Sequence, residues 1–167
     1  MELTKDAAEK IISDMGMDDM PLIAVRPVPT KVPANWFPRY KELCREFMQS
    51  LTDSVETLAF MNLSQDEFMN LLMGRSVPQN MSFRFRTPLT WGGKLETDNL
   101  FMCWTFPHSQ LLDEFIISQS GNDKIWLPNP TKKVYQPIST SIGGAGGNAT
   151  EDRLTEFSAA MTSGRDI

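Results

Sequence analysis

The spacing of apolar residues changes several times along this chain, and each change predicts an element. Tyr40, Leu43, Cys44, Phe47, Met48, Leu51, Val55 and Leu58 recur three and four apart. That is the period of one helix face, and it predicts a helix over 36–60 with Pro38 in its first turn and a break near Thr52-Asp53. Ser64-Gln-Asp-Glu67 predicts a capping box, in which the Ser oxygen takes a first-turn amide proton while the Glu side chain reaches back. It opens a helix with Phe68, Leu71 and Leu72 inward, stopped at Gly74. Ser82–Thr87 alternates strictly, the strand period, with Phe83 and Phe85 on one face and Arg84 and Arg86 on the other. Pro88 ends this strand, and a loop from Thr90 to Asp98 turns at Gly92-Gly93. Asn99–Thr105 is a second apolar strand. Ser109 is predicted to cap a helix that turns Leu111, Leu112, Phe115 and Ile116 inward.

Both ends differ from this middle. Thr4 to Met15 predicts a short helix, capped by Thr4, ended by Gly16, and acidic on its outer face. It needs a partner surface at that length. Pro21, Pro27, Pro29 and Pro33 then favour extended chain. Leu22, Ile23 and Val25 form at most a brief edge strand in what reads as an ordered linker, or an arm lying on a neighbour. After the short apolar piece Ile125–Leu127, Pro128, Pro130 and Pro137 keep the chain extended. Gly143–Gly147 reads as a hinge. Asn148-Ala-Thr-Glu151 opens a last short helix holding Leu154, Phe157 and Met161. The expected fold is α+β: a mainly helical single domain with a small antiparallel β-hairpin and extended N- and C-terminal arms. Its divisions are an acidic helix and Pro-rich arm over 1–35, a helical core with the hairpin over 36–127, and a Pro/Gly-rich tether with a terminal helix over 128–167.

Composition narrows the function. The chain has 167 residues, enough for one core, and 41% of them are hydrophobic. The net charge of −5 argues against a generic nucleic-acid binder. The average hides a gradient: residues 1–20 carry six acids and two lysines, whereas Arg75, Arg84, Arg86 and Lys94 lie in a stretch with no acid. These four are the candidate nucleic-acid-binding residues, with Phe83, Phe85 and Trp91 as stacking planes if exposed. The competing reading puts the Phe face in the core and leaves the Arg face solvated or paired with the acidic arm. Cys44 and Cys103 cannot build a zinc site alone, and eleven Met suit irregular cores or adaptable interfaces. No apolar run approaches the roughly 20 residues that span a bilayer. Met1–Asp19 is charged and amphipathic, unlike a signal peptide. The expectation is an intracellular protein, cytoplasmic or in a virion, with reduced thiols, and the three Asn-x-Ser/Thr matches are chance.

One constellation carries a resemblance. Pro88-Leu89, Gly92-Gly93, Asn99-Leu100 and His108 follow at spacings that resemble the HNH nuclease family. The resemblance implies a hairpin with a long loop followed by one helix. It also implies that Asn99 ties the loop together and that His108, near the start of the helix, ligates a divalent metal such as Mg or Mn. Cys103 falls one position from where many members have a Cys, and no second pair is present. The family's first His, the base that activates water, would sit about three residues before Pro88, where this chain has Phe85. Phe accepts no proton, and the flanking arginines stay protonated. Read without the resemblance, His108 is a neutral imidazole hydrogen-bonded to backbone at a helix start, and Gly92-Gly93 is a turn. Two functions follow. The first is a non-catalytic assembly or interaction subunit without cofactor. It would form homo-oligomers through its terminal arms, as in a viral or phage structural protein that contacts RNA or DNA through the basic hairpin. The second is a divergent metal-dependent HNH-like nuclease with His108 as its catalytic and metal residue.

Overall fold

The computed structural model describes residues 2–135. The fold is α+β, and its α-helices and β-strands among the described residues are α1 (Lys5–Asp14), β1 (Leu22–Val25), α2 (Trp36–Leu51), α3 (Val55–Met61), α4 (Gln65–Leu72), β2 (Met81–Phe85), β3 (Leu100–Trp104), α5 (Gln110–Ile117) and β4 (Ile125–Pro128). The expected hinge at 143–147 and helix after Asn148 lie outside the described residues.

The local signals explain most of these bounds. Thr4 Oγ1 accepts from the Ala7 amide at 3.1 Å, and Gly16 takes the left-handed conformation, φ +87°, two residues past the end of α1. The predicted long helix breaks where Thr52 and Ser54 intervene: the Ser54 hydroxyl accepts from the Thr57 amide and starts α3 afresh. The capping box of α4 is complete, with Glu67 N to Ser64 Oγ and Ser64 N to Glu67 Oε1 both at 3.1 Å.

The β2–β3 hairpin is the central layer. It is antiparallel, with Met81 opposite Trp104 and Phe85 opposite Leu100, and every residue in both strands is buried. Alternation divides its side chains between two apolar clusters. Met81, Phe83 and Phe85 of β2 and Leu100, Met102 and Trp104 of β3 join α2 and Leu71 of α4 in the first. There Phe47 meets Phe83 edge-on with centroids 5.5 Å apart, and Tyr40 meets Phe85 at 5.4 Å. Phe101 and Cys103 face the second cluster, built from α1, α5 and β4.

The structure corrects the expected arm over 1–35. Ala8, Ile12, Met17 and Met20 are part of the second cluster, and β1 pairs antiparallel with β4 in a second small sheet. Trp126 Nε1 donates to the Leu3 carbonyl at 2.9 Å. The Pro-rich stretch runs along the loop after β2, with Thr30 N donating to Thr90 O at 2.9 Å. The helix finds its partner surface within its own chain. The expected tether also starts later than residue 128: Met102 N donates to Lys133 O and Tyr135 N to Met102 O, both at 2.7 Å, so residues 133–135 flank the free side of β3.

Packing at this end is a stability statement. Ile12, 2% exposed, has the burial of a core residue, so Ile12→Ala is expected to cost about 2–4 kcal/mol. Urea unfolding checks this; a loss below about 0.5 kcal/mol, the range of surface substitutions, would return α1 to the status of an arm.

Candidate functional site

The expected basic face does not assemble. Arg84 is fully buried. Its Nη1 sits 2.7 Å from Asp113 Oδ1 of α5, 2.9 Å from Ser109 Oγ and 3.0 Å from the Ser109 carbonyl. The physical reason is the second cluster: the face of β2 opposite the phenylalanines is covered by α5, so a charge placed there must be neutralised inside. Arg86 is half-buried, donates to the Pro130 carbonyl at 2.6 Å and to Asn129 Oδ1 at 3.2 Å, and lies 5.5 Å from the Phe101 ring centroid. Burial lowers its pKa from the ordinary arginine value, and nearby Asp98 works the other way. Of the four candidates only Arg75 and Lys94 are exposed. Phe83 and Phe85 are core, and Trp91 is buried, so none of these three rings offers a stacking plane. Arg84 is therefore removed as a nucleic-acid-binding residue, and Arg86 is committed to the exit of β4.

Ser109 was expected to cap α5. Its hydroxyl instead meets Arg84, and its backbone is already helical. A wide turn over Thr105–Ser109, with a cis Phe106-Pro107 peptide, leads into the helix. Sequence reasoning gave Asp113 no part in holding Arg84. The signal was available: α5 turns Leu112, Phe115 and Ile116 inward, and Ser109 and Asp113 lie four apart, adjacent to that face.

The loop between the strands is held by Asn99. Its Oδ1 accepts from the Thr87 amide at 2.9 Å, and its Nδ2 donates to the carbonyls of Thr87 at 2.9 Å and Lys94 at 3.0 Å. Gly92 takes φ +94°, and a Cβ at Gly93 would overlap the Thr87 carbonyl oxygen. The Gly pair thus serves a turn and a close approach. The shallow hollow under the loop, about 290 Å³, includes Lys94 but also Glu96 and Asp98 in its lining. Two carboxylates beside one ammonium do not make a phosphate cradle.

His108 is 2% exposed. Its ring meets Tyr135 edge-on with centroids 6.2 Å apart, and Tyr135 donates to Asp19 Oδ1 at 2.7 Å. Among the described residues, His108 Nδ1 has no hydrogen-bond partner. Burial pushes the imidazole pKa below 6.5, with Asp19 opposing. Burial, together with Asp19, pushes the Tyr135 phenol up. Tyr135 belongs to the second cluster and Phe85 to the first. The two positions that the resemblance would bring together over a phosphodiester therefore lie on opposite faces of the hairpin. No group of three His, Cys, Asp or Glu able to hold a metal occurs among the described residues. Cys44 and Cys103 are buried and unpaired with each other, and burial raises both thiols to about 12, so neither is a nucleophile near neutral pH.

Two outcomes follow. Asp113→Ala leaves Arg84 without its counter-charge and is expected to cost about 2–3 kcal/mol in urea unfolding, below the usual 3–5 for a buried pair because the Asp113 side chain is 35% exposed. Arg84→Met with Asp113→Leu should recover most of that loss; no recovery would mean that the pair is not the source. For His108 the folded pKa lies below the unfolded one, so the unfolded chain binds the extra proton. Stability is full above about pH 6.5 and declines as pH falls from there towards the folded value. With one His in the chain, a single imidazole C2 proton signal reports the titration by NMR. A midpoint at or above 6.5, or an unchanged pH slope in His108→Gln, would contradict this.

No protein-family model, curated protein or solved structure matches the chain.

Proposed function

We propose that this chain is a non-catalytic assembly subunit whose partner is another protein surface, in the simplest case a second copy of itself. One observation carries the reading. The charged and amide side chains on and around the hairpin are engaged in holding the fold, while apolar side chains are left outside on α4. Arg84, Ser109 and Asp113 form one internal set, Asn99 closes the loop, and Asp19 receives Tyr135. Met69, Leu72 and Met73, by contrast, are 47%, 40% and 47% exposed at positions that share one helix side. Met-rich patches adapt to partners at low cost.

The order hairpin, long loop, helix and the Asn99 clasp support reading residues 82–119 as an HNH-like scaffold. Nuclease chemistry has less support: Phe85 packs on Tyr40, and His108 is buried on the far face. The nucleic-acid form of the assembly reading has likewise lost Arg84 and Arg86. The segment that remains to make contacts between copies is the C-terminal one, since α1 is core.

Sedimentation of the full chain is expected to show a concentration-dependent oligomer that disappears when residues 143–167 are deleted. Deleting residues 1–20 would unfold the second cluster and is not a usable control. A full chain that stays monomeric at every concentration, or an oligomer indifferent to the deletion, would overturn the reading.

A further inference from the structure

The α4 surface has more structure than an exposed apolar patch. Gly74 ends the helix with φ +67°, and a Cβ there would overlap the Arg45 side chain, so the Arg45 stem lies across the helix end. Arg75 follows directly, and Arg45 and Arg75 are both exposed. Neither has an acidic partner among the described residues. The result is an apolar strip of Met69, Leu72 and Met73 ending in two uncompensated cations, at the helix terminus where carbonyl groups already favour positive charge. An occupant suited to it is amphipathic with helical spacing, apolar on one side and acidic nearby.

The chain contains such a segment. Residues 151–161 read EDRLTEFSAAM, with Leu154, Phe157 and Met161 three and four apart and Glu151, Asp152 and Glu156 around them. Fifteen residues, 136–150, separate it from Tyr135. Fully extended they span at most about 50 Å, more than a domain of this size is wide (radius of gyration about 14 Å). We infer that the apolar strip of α4, bounded by Arg45 and Arg75, is the docking surface for residues 151–161 of a second copy. This rests on the assembly reading and names its contact. Exchange of one segment between copies makes each contact count twice in a symmetric pair, so a small patch gains through effective concentration what it lacks in area.

The native cysteines permit a direct test on the full chain, because both are buried with thiols raised to about 12. Copies carrying Asp66→Cys, an exposed position one turn before the strip, are mixed with copies carrying Ala160→Cys and treated with a short bis-maleimide. The expected product contains one copy of each. Its yield should fall at least tenfold with Met69→Ser and Leu72→Ser on the first copy, or with Leu154→Asp and Phe157→Asp on the second. Arg45→Gln with Arg75→Gln should weaken it and make what remains insensitive to salt. Sedimentation of the same samples separates the two ideas. An oligomer that depends on residues 143–167 but gives no cross-link overturns the α4 site and leaves the assembly reading standing. A monomer overturns both. A cross-link formed only when both cysteines are on one chain overturns exchange between copies.

Discussion

A two-stranded hairpin buried on both faces is the constraint from which the rest follows. Two strands cannot shield their own faces, so each face must be covered by helices. Tyr40, Phe47 and Leu71 cover one side, and Phe101 and Cys103 on the other are met by α1, α5 and β4. The period of two then forces the residue between Phe83 and Phe85 into the second interior, whatever its charge. Arg84 stands there. An isolated guanidinium at that place would cost several kcal/mol even after relaxation, so the position of α5 is tied to delivering Asp113 and Ser109 to it. The ion pair holds the helix in the same place as the burial of Leu112, Phe115 and Ile116 does. It also takes the Ser109 hydroxyl away from capping, a loss worth about 1 kcal/mol that the wide turn before α5 accommodates.

The same constraint accounts for the N-terminal segment. A hairpin with one bare face needs more apolar surface than α5 alone presents, and α1 supplies Ala8 and Ile12. The path from α1 to α2 has to cross the molecule. Its prolines suit that path, because the chain pairs at intervals, at Pro21 with Asn129, at β1 with β4, at Val28 with Trp91 and at Thr30 with Thr90. Lacking amide protons at four places, it makes a border rather than a full strand.

How much of this was legible follows from range. Caps and breaks are local, so Thr4, Ser64 and Gly74 marked the ends of their helices, and Thr52-Asp53 the break in the long one, within a few residues. The Asn99 side chain ties the loop to Thr87 and Lys94, both within twelve residues of it in the chain. The reading failed where the deciding partner is distant. Alternating Phe and Arg looks the same whether the Arg face meets water or an acid brought by a later helix. One clue was present: the apolar run Leu100–Trp104 already required both faces of its strand to be buried, and a strand paired with it in register shares that fate. The basic patch was drawn from residues close in sequence, and the fold sent two of its four members inward.

Sidedness also bears on chemistry. The resemblance places the missing base at position 85, yet that side chain points at Tyr40, 5.4 Å between ring centroids, and away from α5. An imidazole there would be desolvated in an apolar cluster, its pKa driven down, with the sheet between it and His108. The position facing α5 is 84, and an always-protonated side chain occupies it. Two substitutions would not be enough to make the segment a hydrolase, because the face turned towards the helix is one residue out of phase with the face that would need the base. A strand register is changed only by moving every side chain on it to the opposite face, which here would expose Phe83 and Phe85 to α5 and bury Arg84 and Arg86 against Phe47 and Tyr40. The hairpin is held in its present phase by two cores at once.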